Sequence, residues 1–520
     1  MTAGLSLFLD VQGTQDDVHP ERGIPRYVGM HAGALVARPG AVSRVALNPA
    51  VSAPAQLPEE LLTSPRLVWN TPGAFRDARF DGPLAYHIMS PFHLHLPFEA
   101  AIPAHAFQAD ALVVTLYDLI PLHLPATYLP DFYGRLYRSR LSVVQSADLV
   151  LTLSKQTSAD AVERLGLASS RVVTIGAGVS PFFTRPGDGR ASAELCAGVP
   201  GLSRPFLMTV SGHDTRKNTA LLLRAFTRLP RSLRRALQVV VVGEISPEVH
   251  HEYLRVAREV GCADDEIVWA GRVSDAILRA LYQRAEVFVF PSVLEGFGLP
   301  VLEAAACGCP SLTARASSLP DILEWAPSTF DPFDAGELAE LLQQAIADTS
   351  FRAELTRAGD AAVALHTWEA VADRTLEAVG NLRPCRDRTP SERARPGETE
   401  QRRLAFVAPA ADAGTQRVAE ALRRYCDLEV YATDRTDGAR RIDGVPTFPL
   451  EAFNRLKTPH SFDAIVHVDE ASSDPRVREL ARRAPSVIAT CLHDAGDADE
   501  LARELVAVAN GLPADARVAR

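Results

Sequence analysis

The chain has 520 residues, which is too long for one hydrophobic core and typical of about three domains. Its hydrophobic content of 47% and charged content of 23% are those of a soluble globular protein, and its net charge of −10 excludes a chain-wide nucleic-acid-binding surface. No apolar run is long enough for a membrane span, and no signal peptide is expected. The seven cysteines lack regular spacing, which fits reduced thiols in a cytosolic protein rather than disulfides or a zinc site.

Short β-rich runs alternate with longer helical patterns over the first 382 residues. The predicted strands are 5–9, 66–69, 84–89, 112–116, 149–153 and 172–175, followed by 206–210, 238–242, 266–270, 286–290 and 310–313. Continuous apolar runs such as 239–242 are typical of strands that are buried on both faces of a parallel sheet. The alternation therefore predicts two doubly wound α/β domains, at 1–185 and 190–382.

A cationic loop is expected at 211–218, which reads SGHDTRKN between a predicted strand and a predicted helix. Adjacent cations at the start of a helix oppose the helix dipole and are unfavourable unless an anion lies nearby. Arg216 and Lys217 therefore favour a phosphate partner. A solvated cationic loop is the alternative that the residues alone leave open.

Residues 290–310 read FPSVLEGFGLPVLEAAACGCP and give the most informative pattern in the chain. Proline is favoured in the first turn of a helix, so a helix is expected to start at Pro300 and to hold Glu303 in its first turn. A helix start offers unpaired N–H groups and a partial positive charge, which suit a diphosphate. Gly296 and Gly298 would let a ligand approach the backbone closely. The alternative is an ordinary glycine-containing loop with a solvated glutamate.

The composition changes after residue 382. Residues 383–402 combine three prolines with many arginines and glutamates, which indicates an exposed linker. Strand-like runs return at 404–407, 428–431, 464–468 and 486–490, and they predict a further, partial Rossmann-like α/β domain at 403–520. The Asp-x-Asp at 497–499 lies in an acidic helical stretch and is interpreted as chance, not as a metal site.

The motifs of residues 1–382 resemble those of the retaining glycosyltransferases of family four, which have the GT-B fold. Two glutamates separated by seven residues flank a Gly-Phe-Gly-Leu-Pro core, and Arg-Lys-Asn stands at 216–218. The resemblance implies two Rossmann-like domains that face a cleft. The C-terminal one binds a nucleotide-sugar, the N-terminal one presents the acceptor, and a last helix near 368–379 returns to the first domain.

The resemblance also assigns roles to individual residues. Glu295 faces the donor sugar, Glu303 holds the ribose, and Lys217 with Arg216 neutralises the donor diphosphate. Asp118, at the carboxyl end of a strand, shapes the acceptor side. Further donor contacts are expected from Gly212, His213, Gly296, Phe297, Gly298, Leu299, Arg272 and Val273, and an acceptor or phosphate loop is expected to contain Gly23, Ile24 and Arg26.

Three positions depart from the family pattern. Tyr117 stands where the family has a histidine, Pro25 replaces a glycine in the loop at 22–27, and His213 stands where many relatives have arginine. These changes put a histidine-based role in doubt and predict a stiffer loop, because the proline ring fixes φ.

The implied activity is retaining transfer of a hexosyl, mannosyl-like group from a nucleotide-sugar donor to a saccharide or lipid-linked acceptor in surface polysaccharide biosynthesis. No metal, cofactor or nucleic-acid partner is expected. The expected location is the cytoplasm, with peripheral association at the inner membrane face left open, as is the oligomeric state. The tail weakly resembles a family N-terminal half, so no second active site is expected. The alternatives are a hydrolase or epimerase on the same fold, and a non-catalytic sugar-nucleotide sensor or scaffold.

Overall fold

The computed structural model describes residues 5–382, except 16–22, 55–56, 81, 93–95, 97, 130, 188 and 214, together with strands beyond residue 401. The linker predicted at 383–402 lies outside the described residues apart from Arg402, which begins a strand. The Asp-x-Asp at 497–499 lies outside them as well.

The first domain is built on a parallel sheet with the strand order β3-β2-β1-β4-β5-β6-β7. Its described strands are β1 (Ser6–Asp10), β2 (Val42–Leu47), β3 (Leu67–Trp69), β4 (Leu84–Ile88), β5 (Ala111–Leu116), β6 (Leu149–Thr152) and β7 (Val172–Thr174). Leu7 and Leu9 belong to one buried cluster and Phe8 to another, because successive side chains of a strand point to opposite faces. Both faces of the sheet are therefore covered.

Helices connect these strands. They are α1 (Ile24–Val36), α2 (Glu59–Leu62), α3 (Pro72–Phe80), α4 (Phe98–Ala101), α5 (Ile120–His123), α6 (Pro125–Tyr128), α7 (Asp131–Ser146) and α8 (Lys155–Leu165). Short 3₁₀ turns lie at Gln12–Gln15, Ala104–Gln108 and Ser169–Arg171.

The second domain has a parallel sheet in the order β10-β9-β8-β11-β12-β13, the 3-2-1-4-5-6 order of a Rossmann fold. Its described strands are β8 (Phe206–Val210), β9 (Gln238–Val242), β10 (Ile267–Gly271), β11 (Val287–Phe290), β12 (Ser311–Ala314) and β13 (Thr329–Phe330). Every residue of β9 is buried, as the continuous apolar run predicts. The prediction of two doubly wound parallel-sheet domains is confirmed.

The helices of the second domain alternate with its strands. They are α9 (Arg190–Ala197), α10 (Thr219–Arg228), α11 (Arg231–Ala236), α12 (Pro247–Glu259), α13 (Asp275–Arg284), α14 (Leu299–Ala306), α15 (Pro320–Leu323), α16 (Ala335–Ala347) and α17 (Thr349–Leu365). Short 3₁₀ turns lie at Thr215–Lys217, Asp264–Glu266 and Ala326–Ser328.

The last helix of this pair of domains, α18 (Trp368–Gly380), packs on α1 of the first domain. Thr375 lies 2.9 Å from His31 between the Oγ1 and Nε2 atoms, and the Arg38 guanidinium lies 2.8 Å from the Asp373 carboxylate. The chain therefore leaves the first domain after β7 and re-enters it at α18.

Two segments connect the first and second domains: one follows β7, and the other precedes α18. They contact each other where they pass between the domains. The Val179 amide donates to the His366 carbonyl at 3.1 Å. A Cβ added to Gly178 would lie 2.5 Å from the backbone nitrogen of Trp368, so only glycine fits there. The two connections thus form one narrow crossing.

The tail domain contains a third sheet in the order β16-β17-β15-β14-β18-β19-β20. Its described strands are β14 (Arg402–Ala408), β15 (Cys426–Ala432), β16 (Arg440–Ile442), β17 (Val445–Pro449), β18 (Ala464–Val468), β19 (Val487–Thr490) and β20 (Arg517–Ala519). The β16–β17 pair is antiparallel, and the other described pairs are parallel. Apart from β16, the order is again 3-2-1-4-5-6, so this sheet is more complete than its four predicted strands.

In the part of the chain that the structure describes, no helix is long and apolar enough to cross a membrane.

Candidate functional site

The loops that follow β8 and β11 meet at the carboxyl edge of the second sheet. These strands are neighbours in the sheet although β9 and β10 separate them in sequence. Such a reversal of strand order opens a crevice at the carboxyl ends of the strands, where α/β proteins bind ligands. The first loop carries Arg216 and Lys217, and the second carries Glu295 and Gly296. The fold therefore brings together the groups that the sequence singled out.

Glu295 forms ion pairs with both cations of the first loop. Its Oε1 atom lies 2.7 Å from Lys217 Nζ and 2.9 Å from an Arg216 guanidinium nitrogen. Burial alone would raise the pKa of Glu295, but Lys217 and Arg216, with a hydrogen bond from Ser292, outweigh burial and hold that pKa below its usual value. Glu295 is therefore ionised at neutral pH.

Backbone hydrogen bonds fix the two loops to each other. The Arg216 carbonyl accepts from the Val293 amide at 2.9 Å, and the Arg216 guanidinium donates to the Leu294 carbonyl at 2.6 Å. Asn218, with a left-handed φ of 53°, donates its side-chain amide to the Pro291 carbonyl at 3.2 Å. The position of Lys217 is thus set by the backbone on both sides of it.

The loop between Glu295 and α14 is tightly packed. A Cβ on Gly296 would lie 2.6 Å from the Tyr117 carbonyl oxygen of the first domain. Gly298 has a φ of 117° and would bring a Cβ within 2.7 Å of Leu319. Phe297 is buried, with its ring 5.4 Å from that of His366. The Phe297 side chain therefore packs against the segment that precedes α18. The predicted contact of Phe297 with the donor can involve only its backbone.

Two serines that follow β12, Ser317 and Ser318, hold this loop from behind. The Ser317 hydroxyl donates to the Glu295 carbonyl at 2.8 Å, and the Ser318 hydroxyl donates to the Phe297 carbonyl at 2.7 Å. Both hydroxyls orient the backbone between Glu295 and Gly298.

The helix that follows the loop begins one residue earlier than predicted. Gly298 caps α14, Leu299 is its first residue and Pro300 its second. Glu303 is therefore the fifth residue and lies in the second turn, not in the first. The helix start does not stabilise its charge directly, since that effect falls off within the first turn. Its partners are instead the Tyr282 hydroxyl at 3.2 Å and the Arg26 guanidinium at 3.5 Å.

The residues expected in an acceptor or phosphate loop form the start of α1. Gly23 caps this helix with a φ of 61°, and Ile24, Pro25 and Arg26 lie in its first turn. Pro25 was expected to stiffen a loop, but it lies in the first turn of a helix instead. Arg26 reaches across to the second domain, where it pairs with Asp275 and Glu303.

Asp118 lies at the carboxyl end of β5, close to Gly296. Its Oδ1 atom accepts from the Ile120 amide at 3.0 Å, so it holds the turn that precedes α5, although the N-cap of that helix is Leu119. Burial raises the pKa of Asp118, and the charge of Glu295 adds to this effect, while the Ile120 hydrogen bond and Arg216 oppose it. The carboxyl group therefore both orders the backbone ahead of α5 and takes part in the electrostatics of the site.

The neighbouring Tyr117 does not replace the histidine of the family pattern at the site. Its hydroxyl donates to the Met89 carbonyl at 2.7 Å, and its ring packs on that of Tyr27 at 5.2 Å. The side chain therefore lies in the core of the first domain.

The remaining predicted donor residues lie at the same edge of the second sheet. Gly212 and the exposed His213 follow β8, whereas the exposed Arg272 and the half-buried Val273 follow β10. Their contacts with a donor stay predictions.

Sequence reasoning missed three side chains that complete the site. Tyr128 accepts a hydrogen bond from the Arg216 side chain at 3.2 Å, Tyr282 contacts Glu303, and Asp275 contacts Arg26. Asp275 lies two residues after the predicted 272–273 segment, and this was the one sequence signal that could have indicated it. No sequence pattern indicated Tyr128 or Tyr282, because the residues that they contact are distant in sequence.

The cluster has the electrostatics of an anion site. Two cations face one carboxylate in the crevice, and the start of α14 lies beside them with its partial positive charge. The crevice therefore offers two cations and a helix start to an anionic group such as a diphosphate.

Comparison with known proteins adds an independent line of observation. Residues 200–361 match the family model described as "Glycosyl transferases group 1". This span contains the loops after β8 and β11 and helix α14.

Similar curated proteins include two from Escherichia coli. The serotype-specific mannosyltransferase WbdA is 29% identical over 286 residues, which are 55% of this chain and 35% of that protein. The O-antigen chain mannosyltransferase B is 28% identical over 277 residues, which are 52% of this chain and 70% of that protein. The match thus spans about a third of the length of WbdA.

Among solved structures, Anabaena Alr3699/HepE in complex with UDP-glucose has a TM-score of 0.53 at 18% identity. The match covers 73% of this chain and all of that one. At this level of identity, the likeness shows the two-domain fold.

Proposed function

Because residues 200–361 carry a domain of the glycosyl transferases group 1 family, we propose that this protein transfers a hexosyl group from a nucleotide-sugar donor to a saccharide acceptor. The observation that supports this most directly is Glu295, which two cations share at the crevice between β8 and β11. The α14 helix start lies beside them. This is an arrangement suited to a diphosphate that carries a sugar.

The proposed chemistry is electrostatic. The bond between the anomeric carbon of the donor and the diphosphate oxygen breaks, and an acceptor hydroxyl oxygen bonds to that carbon. Lys217, Arg216 and the start of α14 stabilise the charge that develops on the departing diphosphate. The acceptor proton passes to the leaving phosphate oxygen on the same face of the sugar, which retains the configuration. These groups supply the positive charge, so we propose turnover without a metal or a cofactor.

The names of the relatives suggest the class of substrate. Both relatives are mannosyltransferases by name: one is called serotype-specific, and the other is named for the O-antigen chain. We therefore propose a nucleoside-diphosphate mannose as donor, and a saccharide or lipid-linked saccharide of a surface polysaccharide as acceptor. We also propose that the protein acts in the cytoplasm, with the acceptor reached at the inner membrane face.

A thermal-shift screen against GDP, UDP and their sugar conjugates tests the donor site. A nucleotide at 100 times its dissociation constant stabilises the folded protein by about 2.7 kcal/mol. The matching nucleotide-sugar is then incubated with a mannosylated acceptor, with and without EDTA. A stabilising nucleotide and a glycosylated product in both incubations are expected, whereas free sugar without product would indicate a hydrolase.

Two substitutions test the proposed charge cluster. Lys217→Ala and Glu295→Ala should each reduce turnover to background while circular dichroism stays that of the wild type. Lys155→Ala is the matched control, because it also removes a cation and its side chain is 72% exposed. Wild-type turnover in both test variants would rule out the proposed mechanism.

A further inference from the structure

One arginine of the first domain lies between two carboxylates of the second domain. The Arg26 guanidinium forms an ion pair with Asp275 and lies 3.5 Å from Glu303. We call Arg26, Asp275 and Glu303 the cross-domain triad. Arg26 and Asp275 are 249 residues apart in sequence, so this contact exists only because the two domains face each other.

The triad is sheltered from solvent. The side chains of Arg26, Asp275 and Glu303 are 17%, 23% and 13% exposed, and the guanidinium carbon lies 5.6 Å from the Phe183 ring centroid. Water and salt screen such charges far less than those of surface pairs. Separating the domains would break both contacts of Arg26 with these carboxylates, which opposes opening.

Another ion pair also joins the two domains but is solvent-exposed. Lys155 of α8 lies 3.3 Å from Asp321 of α15, with side chains 72% and 42% exposed. Exposed pairs of this kind contribute little to stability. The Lys155–Asp321 pair therefore provides an internal control for the triad.

Both carboxylates of the triad flank the region where the nucleoside half of a donor is expected. Asp275 is the first residue of α13 and comes two residues after Val273, and Glu303 projects from α14. Arg26 is held in the first turn of α1, so it cannot remain on these carboxylates unless the first domain stays over the second.

We propose that Arg26 is a positioning residue that holds the first domain closed over the donor site by means of the cross-domain triad. The proposal rests on the proposed function, because closure matters only if the first domain presents an acceptor to the donor. Arg26 acts through Asp275 and Glu303, while Lys217, Arg216 and Glu295 are left to bind the diphosphate and sugar.

Arg26→Ala should therefore lower kcat while leaving the affinity for the nucleotide nearly unchanged. Arg26→Ala leaves the cation pair at 216–217 in place, so the dissociation constant for GDP or UDP should change by less than about threefold. The open form gains population, so kcat should fall by tenfold or more. Arg26→Lys keeps the charge but loses the planar fork that reaches two carboxylates, and it should fall between wild type and Arg26→Ala.

The test compares wild type, Arg26→Ala, Arg26→Lys, Asp275→Asn and the Lys155→Ala control in the full chain. Calorimetry gives the dissociation constant of whichever of GDP or UDP binds, kinetics give kcat and KM, and small-angle scattering gives the radius of gyration. We expect a larger radius and a lower kcat for Arg26→Ala and Asp275→Asn, with Lys155→Ala within twofold of wild type. Circular dichroism checks that each variant is folded.

Two results would overturn the proposal. One is that Arg26→Ala matches Lys155→Ala in radius and kcat. The other is that it loses nucleotide binding as completely as Lys217→Ala, which would make Arg26 a donor ligand. The radius of gyration needs neither a donor nor turnover, so it decides the proposal even if the protein transfers no sugar.

Discussion

Gly296 brings the loop after β11 against the backbone of the first domain. Its φ is not in the left-handed region, so the need for glycine here is one of space and not of conformation. A Cβ would lie 2.6 Å from the Tyr117 carbonyl oxygen and 2.9 Å from the Asp118 Cβ. Since real Cβ atoms do not approach that closely, a side chain at this position must move the loop.

Gly296→Ala should therefore impair the site without unfolding the protein. We expect kcat to fall by tenfold or more, because the extra methyl displaces Glu295 from its cations, and overpacking of this kind costs about 1–3 kcal/mol. Gly380→Ala is the control, because a Cβ there meets no atom within 4 Å. Steady-state kinetics measure kcat for both variants. Equal kcat values for Gly296→Ala and Gly380→Ala would show that a Cβ at position 296 does not displace the loop.

Asp10, at the end of β1, lies in a buried polar network. It accepts hydrogen bonds from the Gln12 amide at 3.1 Å, from Tyr86 at 3.2 Å and from the Asn70 side chain at 3.3 Å. Burial raises the pKa of Asp10 to about 7 against these hydrogen bonds. The folded protein therefore keeps this carboxyl protonated at pH values where the unfolded chain does not.

The free energy of unfolding should consequently fall as pH rises between about 4 and about 7, since the folded state binds the extra proton in that window. The slope from one group is at most about 1.4 kcal/mol per pH unit. Asp10→Asn should reduce this dependence of the free energy of unfolding on pH. Asp265→Asn, at a side chain that is 78% exposed, should leave the dependence unchanged. Urea unfolding from pH 5 to 8 measures this, and an unchanged slope in Asp10→Asn would contradict it.

For individual residues, the functional side chains could be predicted from the sequence, whereas the contacts between them could not. Glu295, Lys217 and Arg216 could be predicted as a group because each sits in a local motif. Their mutual ion pairs could not, because Lys217 and Glu295 are 78 residues apart and meet only through the strand order. The shift of Glu303 to the second turn followed from Gly298, which caps α14 and moves its start to Leu299.

At the scale of elements, strands with continuous apolar runs were predictable, whereas interrupted or very short strands were not. The strands β8 and β9 agree with their predicted ranges because their runs are continuously apolar. The strand β2 was missed because Ser43 and Arg44 interrupt it, and β13 was missed because it is only two residues long. The loops that carry Arg216, Lys217 and Glu295 follow β8 and β11, so the site was predictable although the sheets were incomplete.

The crossing between the domains yields a test at this scale. A Cβ on Gly178 would lie 2.5 Å from the Trp368 nitrogen and 2.8 Å from the Thr367 carbonyl carbon, and both belong to backbone that cannot rotate away. Gly178→Ala should therefore lower the free energy of unfolding by about 1–3 kcal/mol. Gly187→Ala, with no atom within 4 Å of its Cβ, should leave it unchanged.

Denaturant unfolding measures both variants under the same conditions. Equal midpoints for Gly178→Ala and Gly187→Ala would show that the crossing tolerates a side chain and that the two connections are not in tight contact.

At the scale of the whole molecule, all three sheets contain the strand order 3-2-1-4-5-6, and the first sheet adds β7 at one edge. The second domain and the tail domain both show 3-2-1-4-5-6, with β16 added at one edge of the tail sheet. A Rossmann-like sheet does not by itself make a donor site, because function depends on the residues that the loops carry. The Glu-x7-Glu pattern with its Gly-Phe-Gly-Leu-Pro core occurs once in the sequence, at 295–303.

We therefore predict that one nucleotide binds per chain. Isothermal titration of the full chain with the stabilising nucleotide should give a stoichiometry near one, and Lys217→Ala should abolish the binding heat altogether. A stoichiometry near two, or residual binding in Lys217→Ala, would place a second nucleotide site elsewhere in the chain.

The narrow crossing has a consequence for engineering. Because the chain enters the second domain after Gly178 and leaves it before Trp368, the second domain is an insertion within the first and not an appendage to it. A chimera designed to exchange donor preference must be joined at both points, and the graft must bring its own matched pair of crossing residues. A single-junction fusion would instead separate α18 from α1 and leave the first domain without its closing helix.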